Sequence, residues 1–245
     1  MQMTGNTILI TGGGTGIGLA FAKRFVARGN QVIICGRRAE PLAAAKRETP
    51  ALETLQCDVA TEANRIALAE EAVAKFPALN VLVNNAGVAN RHAPVPRPQD
   101  WASHRQELAI NLEAPMHLSF LLAPHLAKSP FGAIVNVSSG LGLVPMAAAS
   151  TYCLTKAALH SFSLSLRHQL KATSLDGVEI IPPAVNTGFP GTQTGVDLDV
   201  FADSIFERLD KGETEIGYGT SETRRLASRA ELDAYFDQLN PPKQS

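Results

Sequence analysis

Residues 7–36 read TILITGGGTGIGLAFAKRFVARGNQVIICG. The apolar run Thr7 to Thr11 reads as a strand, and Gly18 to Arg28 as a helix. Gln31 to Gly36 reads as a second strand, so the stretch opens a strand–helix–strand unit. The junction Thr11-Gly-Gly-Gly-Thr-Gly-Ile-Gly18 puts Gly12, Gly14, Gly16 and Gly18, with Thr15 and Ile17 between them, where a strand becomes a helix. Glycines here let backbone amides and the positive end of the helix approach a pyrophosphate without Cβ atoms in the way. The structural alternative is a tight strand-to-helix turn. A preceding strand and a following helix favour the dinucleotide reading.

Further strand-like runs follow at Glu53 to Cys57, Val81 to Asn84, Ala133 to Ser138, Val178 to Pro182 and, last, Thr214 to Tyr218. Helical patterns cover Ala39 to Glu48, Thr61 to Lys75, Ala102 to Ala127, Tyr152 to Ala172, Asp199 to Lys211 and Glu222 to Leu239. Short apolar strands alternating with helices predict an α/β fold: a single-domain Rossmann-type doubly wound parallel sheet of about seven strands, with helices on both faces. No linker-like shift divides the 245 residues, so residues 1–245 are expected to form one domain. Within it, 188–245 supply a lid over the substrate and the C-terminal elements.

The chain carries 22 Lys+Arg against 23 Asp+Glu, a net charge of −1, which supplies no electrostatic drive toward nucleic acid or an anionic membrane. Six histidines lack metal-site spacing, and no metal is expected. Cys35, Cys57 and Cys153 are odd in number and without paired spacing, which fits a reducing cytoplasm. Neither a signal peptide nor a membrane-spanning run is read, so a cytoplasmic protein is expected. Cys153 reads as a small buried hydrophobe rather than a redox switch.

Nineteen residues beyond Gly18 the second strand presents Arg37 and Arg38. An acid at this place accepts from the adenosine ribose, whereas arginine accommodates a 2′-phosphate. Two arginines opening a helix oppose its dipole, so an anionic partner is the better account. NADP(H) is therefore favoured, with NAD(H) as the alternative. Thr15 offers a hydroxyl on the same side.

From Asn6 to Thr187 the sequence resembles the classical short-chain dehydrogenase/reductase family. Thr11 to Gly18 match that family's Thr-Gly-x-x-x-Gly-x-Gly turn, and Asn84-Asn85-Ala86-Gly87 match its signature after the fourth strand. Ser139, Tyr152 and Lys156 match its catalytic Ser, Tyr and Lys, with the Ser-to-Tyr spacing of thirteen intact, and Asn111 matches its catalytic Asn. The resemblance further implies that Asp58 and Val59 bracket adenine, that Asn85, Ala86 and Gly87 line the cofactor, and that Val185 and Thr187 hold the nicotinamide carboxamide. Pro182-Pro183 departs from the family's Pro-Gly. It is similar to a subgroup of oxidoreductases encoded beside D-alanylation operons. A stiffer turn with the same outcome is expected.

Tyr152 and Lys156, four apart, share a helix face. A lysine ammonium at ~5 Å contributes roughly 3 kcal/mol at an effective dielectric of ~20, or about two pK units of phenolate stabilisation. The tyrosine is thereby expected to reach the range useful for acid–base catalysis. Ser139 lies at a strand end, where such a sheet opens to ligands, and Ser138 is its rival. Pro115, four residues after Asn111, removes the helical partner of the Asn111 carbonyl and predicts a kink. The resemblance implies a water there, linking Lys156 to solvent.

These residues predict an NADP-dependent oxidoreductase moving hydride between nicotinamide and a carbonyl or secondary alcohol of a small, largely apolar substrate. Leu141, Leu143, Val144, Met146 and Phe189 are candidates for its lining beside Ser139 and Tyr152. The alternatives are a catalytically inactive nucleotide-sensing binding protein on the same fold, and an interaction module. The long helices are expected to pack a homodimer or homotetramer.

Overall fold

The computed structural model describes residues 1–90, 92–95, 97–188 and 194–242. Its elements run β1 (Thr7–Thr11), α1 (Gly16–Ala27), β2 (Gln31–Gly36), α2 (Ala39–Glu48), β3 (Leu52–Gln56), α3 (Glu62–Lys75) and β4 (Leu79–Asn84). They continue with α4 (Trp101–Leu108), α5 (Ala114–Leu126), β5 (Gly132–Val137), α6 (Ser150–Leu170), β6 (Leu175–Ile181), α7 (Leu198–Asp210), β7 (Glu215–Gly217), α8 (Thr220–Leu226) and α9 (Arg229–Leu239). All seven strands pair in parallel, in the order β3-β2-β1-β4-β5-β6-β7. The order reverses between β1 and β4, which makes a switch-point crevice at the carboxyl ends of those strands.

Alternation along each strand divides the core. Ile8, Ile10, Val32 and Ile34 point to one face, under α1, α2 and α7. Leu9, Ile33, Leu82 and Ile134 point to the other, under α3, α5 and α6. On the first face Phe21 and Phe25 of α1 meet Phe201 and Phe206 of α7, with the Phe25 and Phe206 rings 4.7 Å apart. Strands covered on both sides must be apolar throughout, which is why β1 and β4 are buried at every position.

The long helix expected over 102–127 is interrupted. Between α4 and α5 the backbone takes a π-helical turn over Ala109–Glu113, with the Ala114 N–H reaching back to the Ala109 carbonyl. Pro115 has no N–H to continue the α ladder, and a widened turn is one way around it. One turn on, the Pro115 carbonyl accepts from Ser119 Oγ at 2.6 Å and from Asn84 Nδ2 at 3.3 Å. The single helix expected over 222–239 is two, α8 and α9. Ser228 starts the second with a capping box to Glu231, a Ser-x-x-Glu signature that marks a new helix N-terminus. β6 begins three residues earlier than expected, at Leu175. Among the described residues no helix is long and apolar enough to cross a membrane.

Candidate active site

A cleft of about 770 Å³ opens along the carboxyl ends of the strands. At one end lie Arg37, Arg38, Asp58 and Val59; Gly12, Gly14, Thr15, Gly16, Ile17, Asn85, Ala86 and Gly87 follow. Ser139, Tyr152 and Lys156 come next, with Val185 and Thr187 on the β6 side. Thus nearly every residue singled out in the sequence lines one cavity.

The glycine turn divides its work differently from expectation. Gly12 has a φ of +65°, and a Cβ on it would stand 2.9 Å from Ala86 Cα. A Cβ on Gly18 would stand 2.5 Å from Asn85 Nδ2, and Gly18 does not line the cleft. The space these two glycines leave is filled by the β4 turn. Asn85 Nδ2 donates to the carbonyls of Thr11 and Gly12, and Thr11 Oγ1 accepts from the N–H groups of Asn85 and Ala86 at 3.0 and 3.1 Å. Gly18 is therefore corrected from a cofactor contact to a packing position that locks the two loops together.

The amino end of α1 faces the cleft unmasked. Thr15 caps it without a side-chain hydrogen bond, and its first turn holds no acid. Uncapped N–H groups and a positive dipole end fit a pyrophosphate. Arg37 and Arg38 are exposed and, among the described residues, enter no ion pair. Opposite them, Asp58 Oδ1 accepts from the Ala60 N–H. Buried Arg65 grips the same turn, donating to the Val59 carbonyl at 2.9 Å and bonding His117 Nδ1 at 3.1 Å. That support was not anticipated; a lone arginine among apolar helix positions was its trace in the sequence.

At the Tyr152 end of the cleft the two candidate serines separate. Ser138 turns away, donating to buried Glu179 at 2.5 Å. Ser139 Oγ accepts from the Leu141 N–H at 3.1 Å and faces the Tyr152 phenol. Lys156 Nζ lies 5.8 Å from the Tyr152 ring centroid and donates to the Val137 carbonyl at 2.8 Å. Asn111 lies outside the cleft lining. Its amide clamps Val88, accepting from the N–H at 2.9 Å and donating to the carbonyl at 2.8 Å, and it reaches Thr155 Oγ1 at 3.3 Å. The side chain thus ties the loop after β4 to α6, while its backbone occupies the π turn.

The electrostatics correct one expectation. Burial pushes the Tyr152 phenol up to about 12, against the downward pull of the Ser139 hydroxyl. Burial likewise pushes the Lys156 ammonium down to about 8, against the charge of Glu179. Desolvation outweighs the attraction that the four-residue spacing suggested. At neutral pH the phenol is a proton donor. Glu179, fully buried in β6, also holds His160 Nδ1 at 2.8 Å and raises its pKa. An acid inside the otherwise apolar run Val178 to Pro182 was the signal for it.

The third part of the cleft is walled by Leu141, Met146, Ala149, Thr220, Arg224 and Leu239. Leu141 and Met146 were expected there; Thr220, Arg224 and Leu239 come from the C-terminal elements expected near the substrate but were not singled out. Leu143 and Val144 do not line it, because Val144 turns into the interior. Phe189 lies outside the described residues. Cys153 is buried and accepts from the Met146 N–H at 3.2 Å, which fixes the Met146 loop. Pro182 and Pro183 both line the cleft, and the Pro182 carbonyl accepts from the Gly140 N–H at 3.0 Å. Beyond them the chain is pinned where the Val196 N–H donates to Ala184 and the Asn186 N–H donates to Val196.

Comparison with known proteins adds independent findings. Residues 6–194 match the family model described as short chain dehydrogenase. The chain is 46% identical over 98% of its length to the uncharacterized oxidoreductase DltE of Bacillus subtilis, covering 98% of that protein. It is 36% identical over 73% of its length to the NADP-dependent 3-hydroxy acid dehydrogenase YdfG of Salmonella typhi, covering 72% of it. Its fold superposes on a short chain dehydrogenase/reductase from Burkholderia phymatum, solved in complex with NAD, with a TM-score of 0.83 at 23% identity, over 100% of this chain and 99% of that one.

Proposed function

The chain belongs to the short-chain dehydrogenase/reductase family, and we propose that within it this protein is an NADP-dependent oxidoreductase acting on a carbonyl or secondary alcohol. The match to DltE also bears out the subgroup expected from Pro182-Pro183. One observation carries the reading. Ser139, Tyr152 and Lys156 line the same cleft as the uncapped end of α1 and the exposed arginines Arg37 and Arg38.

Bound nicotinamide supplies or accepts the hydride. Ser139 anchors the substrate oxygen against the phenol. Tyr152, protonated at neutral pH, donates to that oxygen in the direction of reduction. Lys156 compensates the phenolate left behind and holds the ribose, and Asn111 at the π turn completes the proton path to solvent. Arg37 and Arg38 supply a fork for a 2′-phosphate, and the name of the YdfG relative agrees with NADP. Val185 and Thr187 hold the carboxamide. The walls Leu141 and Met146 suit a small, largely apolar substrate body. The proposal includes one domain in the cytoplasm, assembled as a homodimer or homotetramer through Phe120, Leu154 and Leu164, which α5 and α6 leave exposed.

The test is fluorescence titration with NADPH and NADH, followed by a turnover screen over small ketones and aldehydes. NADPH binding tighter by at least about tenfold, with turnover, is expected. Tighter NADH binding overturns the cofactor assignment, and binding without turnover of any carbonyl points to the nucleotide sensor.

A further inference from the structure

The substrate end of the cleft contains a cation that the proposed chemistry leaves unused. α8 carries two adjacent arginines with opposite fates. Arg225 is bound to Glu222 at 2.7 Å and lies 3.6 Å from Glu215, and nearby Arg208 is bound to Glu213 and Glu222. Arg224 lines the cleft, and among the described residues no carboxylate pairs with it. Partial burial depresses its pKa, with Tyr235 as the opposing influence. A half-buried guanidinium without a counter-ion is a costly arrangement unless an anion arrives.

Its neighbours place it beside the reacting groups rather than at the adenosine end. α8 packs on the turn that follows Ser139: a Cβ on Gly140 would meet Ser221 Oγ. α9 is fastened to the Met146 loop, since the Ala147 N–H donates to Asn240 Oδ1 at 2.7 Å and Asn240 Nδ2 donates to the Pro145 carbonyl at 3.0 Å. Arg224 therefore shares its part of the cavity with Leu141, Met146 and Leu239. Among the described lining residues the sole acid is Asp58, at the opposite end.

We infer that Arg224 is a specificity-determining residue that binds a carboxylate on the substrate, so that the substrate is a hydroxy acid or keto acid with an apolar stem. The inference rests on the oxidoreductase reading for its reaction, but not for the anion site itself. A planar guanidinium matches a carboxylate through two parallel N–H donors, whereas the apolar walls suit the carbon chain between the acid and the carbonyl.

The test uses unbranched keto acids of increasing length, each paired with its methyl ester, reduced with NADPH by the wild type, Arg224→Leu and Arg224→Lys. Hexanoate and hexanamide are titrated calorimetrically into the same three proteins. For at least one chain length the acid should be preferred by about tenfold or more in kcat/KM, mostly through KM, and hexanoate should bind more tightly than hexanamide. Both preferences should fall to about unity in Arg224→Leu and return in part in Arg224→Lys. Equal handling of acid and ester with equal binding of hexanoate and hexanamide in the wild type overturns the inference. So does a preference that survives Arg224→Leu. If hexanoate binds through Arg224 while no carbonyl is reduced, the anion site stands and the oxidoreductase reading fails, so the two are separable.

Discussion

Gly142 lies in the turn after Ser139, pressed against the backbone of α6. A Cβ added there would stand 2.7 Å from the Lys156 carbonyl carbon, 2.8 Å from its oxygen and 2.9 Å from the Ala157 nitrogen. All three are main-chain atoms, so no rotamer change relieves the contact in Gly142→Ala. Ordinary contact, at 3.4 Å or more, requires the helix or the turn to yield by about 0.7 Å at Lys156. Overpacking of this kind costs about 1–3 kcal/mol. For a chain of this size that corresponds to a fall in Tm of about 2–12 °C. The displacement also moves Lys156 relative to Ser139, and a misplacement of about 1 Å costs on the order of 100-fold in rate, so a loss in kcat of about 10–100-fold follows. The assay is differential scanning calorimetry paired with kcat at saturating NADPH and carbonyl, measured well below the variant's Tm. Wild-type Tm together with wild-type kcat would refute the claim that this turn sets the position of the catalytic helix.

Three further outcomes are expected. Ser139→Ala should lower kcat by about 100-fold or more, whereas Ser138→Ala, which strips buried Glu179 of a donor, should act mainly on Tm; the reverse pattern would reassign the serine. Lys156→Met removes the ammonium, 5.8 Å from the Tyr152 ring centroid, that compensates the phenolate left by proton transfer. It should lower kcat by about 100-fold or more in a protein of wild-type Tm, and a wild-type kcat would rule out the lysine's electrostatic role. His160 has a raised pKa because Glu179 accepts from it, so its contribution to stability is complete below about pH 6.5 and is lost as pH rises through the raised value. Glu179→Gln should lower that pKa, read from the imidazole proton shift in NMR, and should narrow its stability deficit as pH rises; an unmoved titration would contradict the pairing.

Residues whose role follows from local pattern were legible in the sequence. β1, β2 and α2 fall where the apolar runs and breakers put them, because strands buried on both faces leave little freedom of composition. The motif spacings brought Gly12, Asn85, Ser139, Tyr152 and Lys156 to one cleft. What escaped depends on partners distant in the chain. Gly18 looks like a phosphate-loop glycine until Asn85, 67 positions away, is seen in the space beside it. The pKa of Tyr152 follows from burial, which no spacing reports. Pro115 announces a disturbance, but its letter does not tell a kink from the π turn that the backbone takes over Ala109–Glu113. Arg224 and Arg225 are equivalent as letters and differ only because Glu222 and Glu215 stand on one side of α8.

The most direct measurement of the central claim is made on Tyr152→Phe, by NADPH fluorescence titration and single-turnover reduction of a carbonyl that the wild type accepts. Removing one hydroxyl deletes the proton donor and leaves the α1 terminus, Arg37 and Arg38 intact. The predicted result is NADPH affinity within a few-fold of wild type and a reduction rate lower by about 100-fold or more. A variant that binds NADPH and still reduces the carbonyl at the wild-type rate would contradict the account.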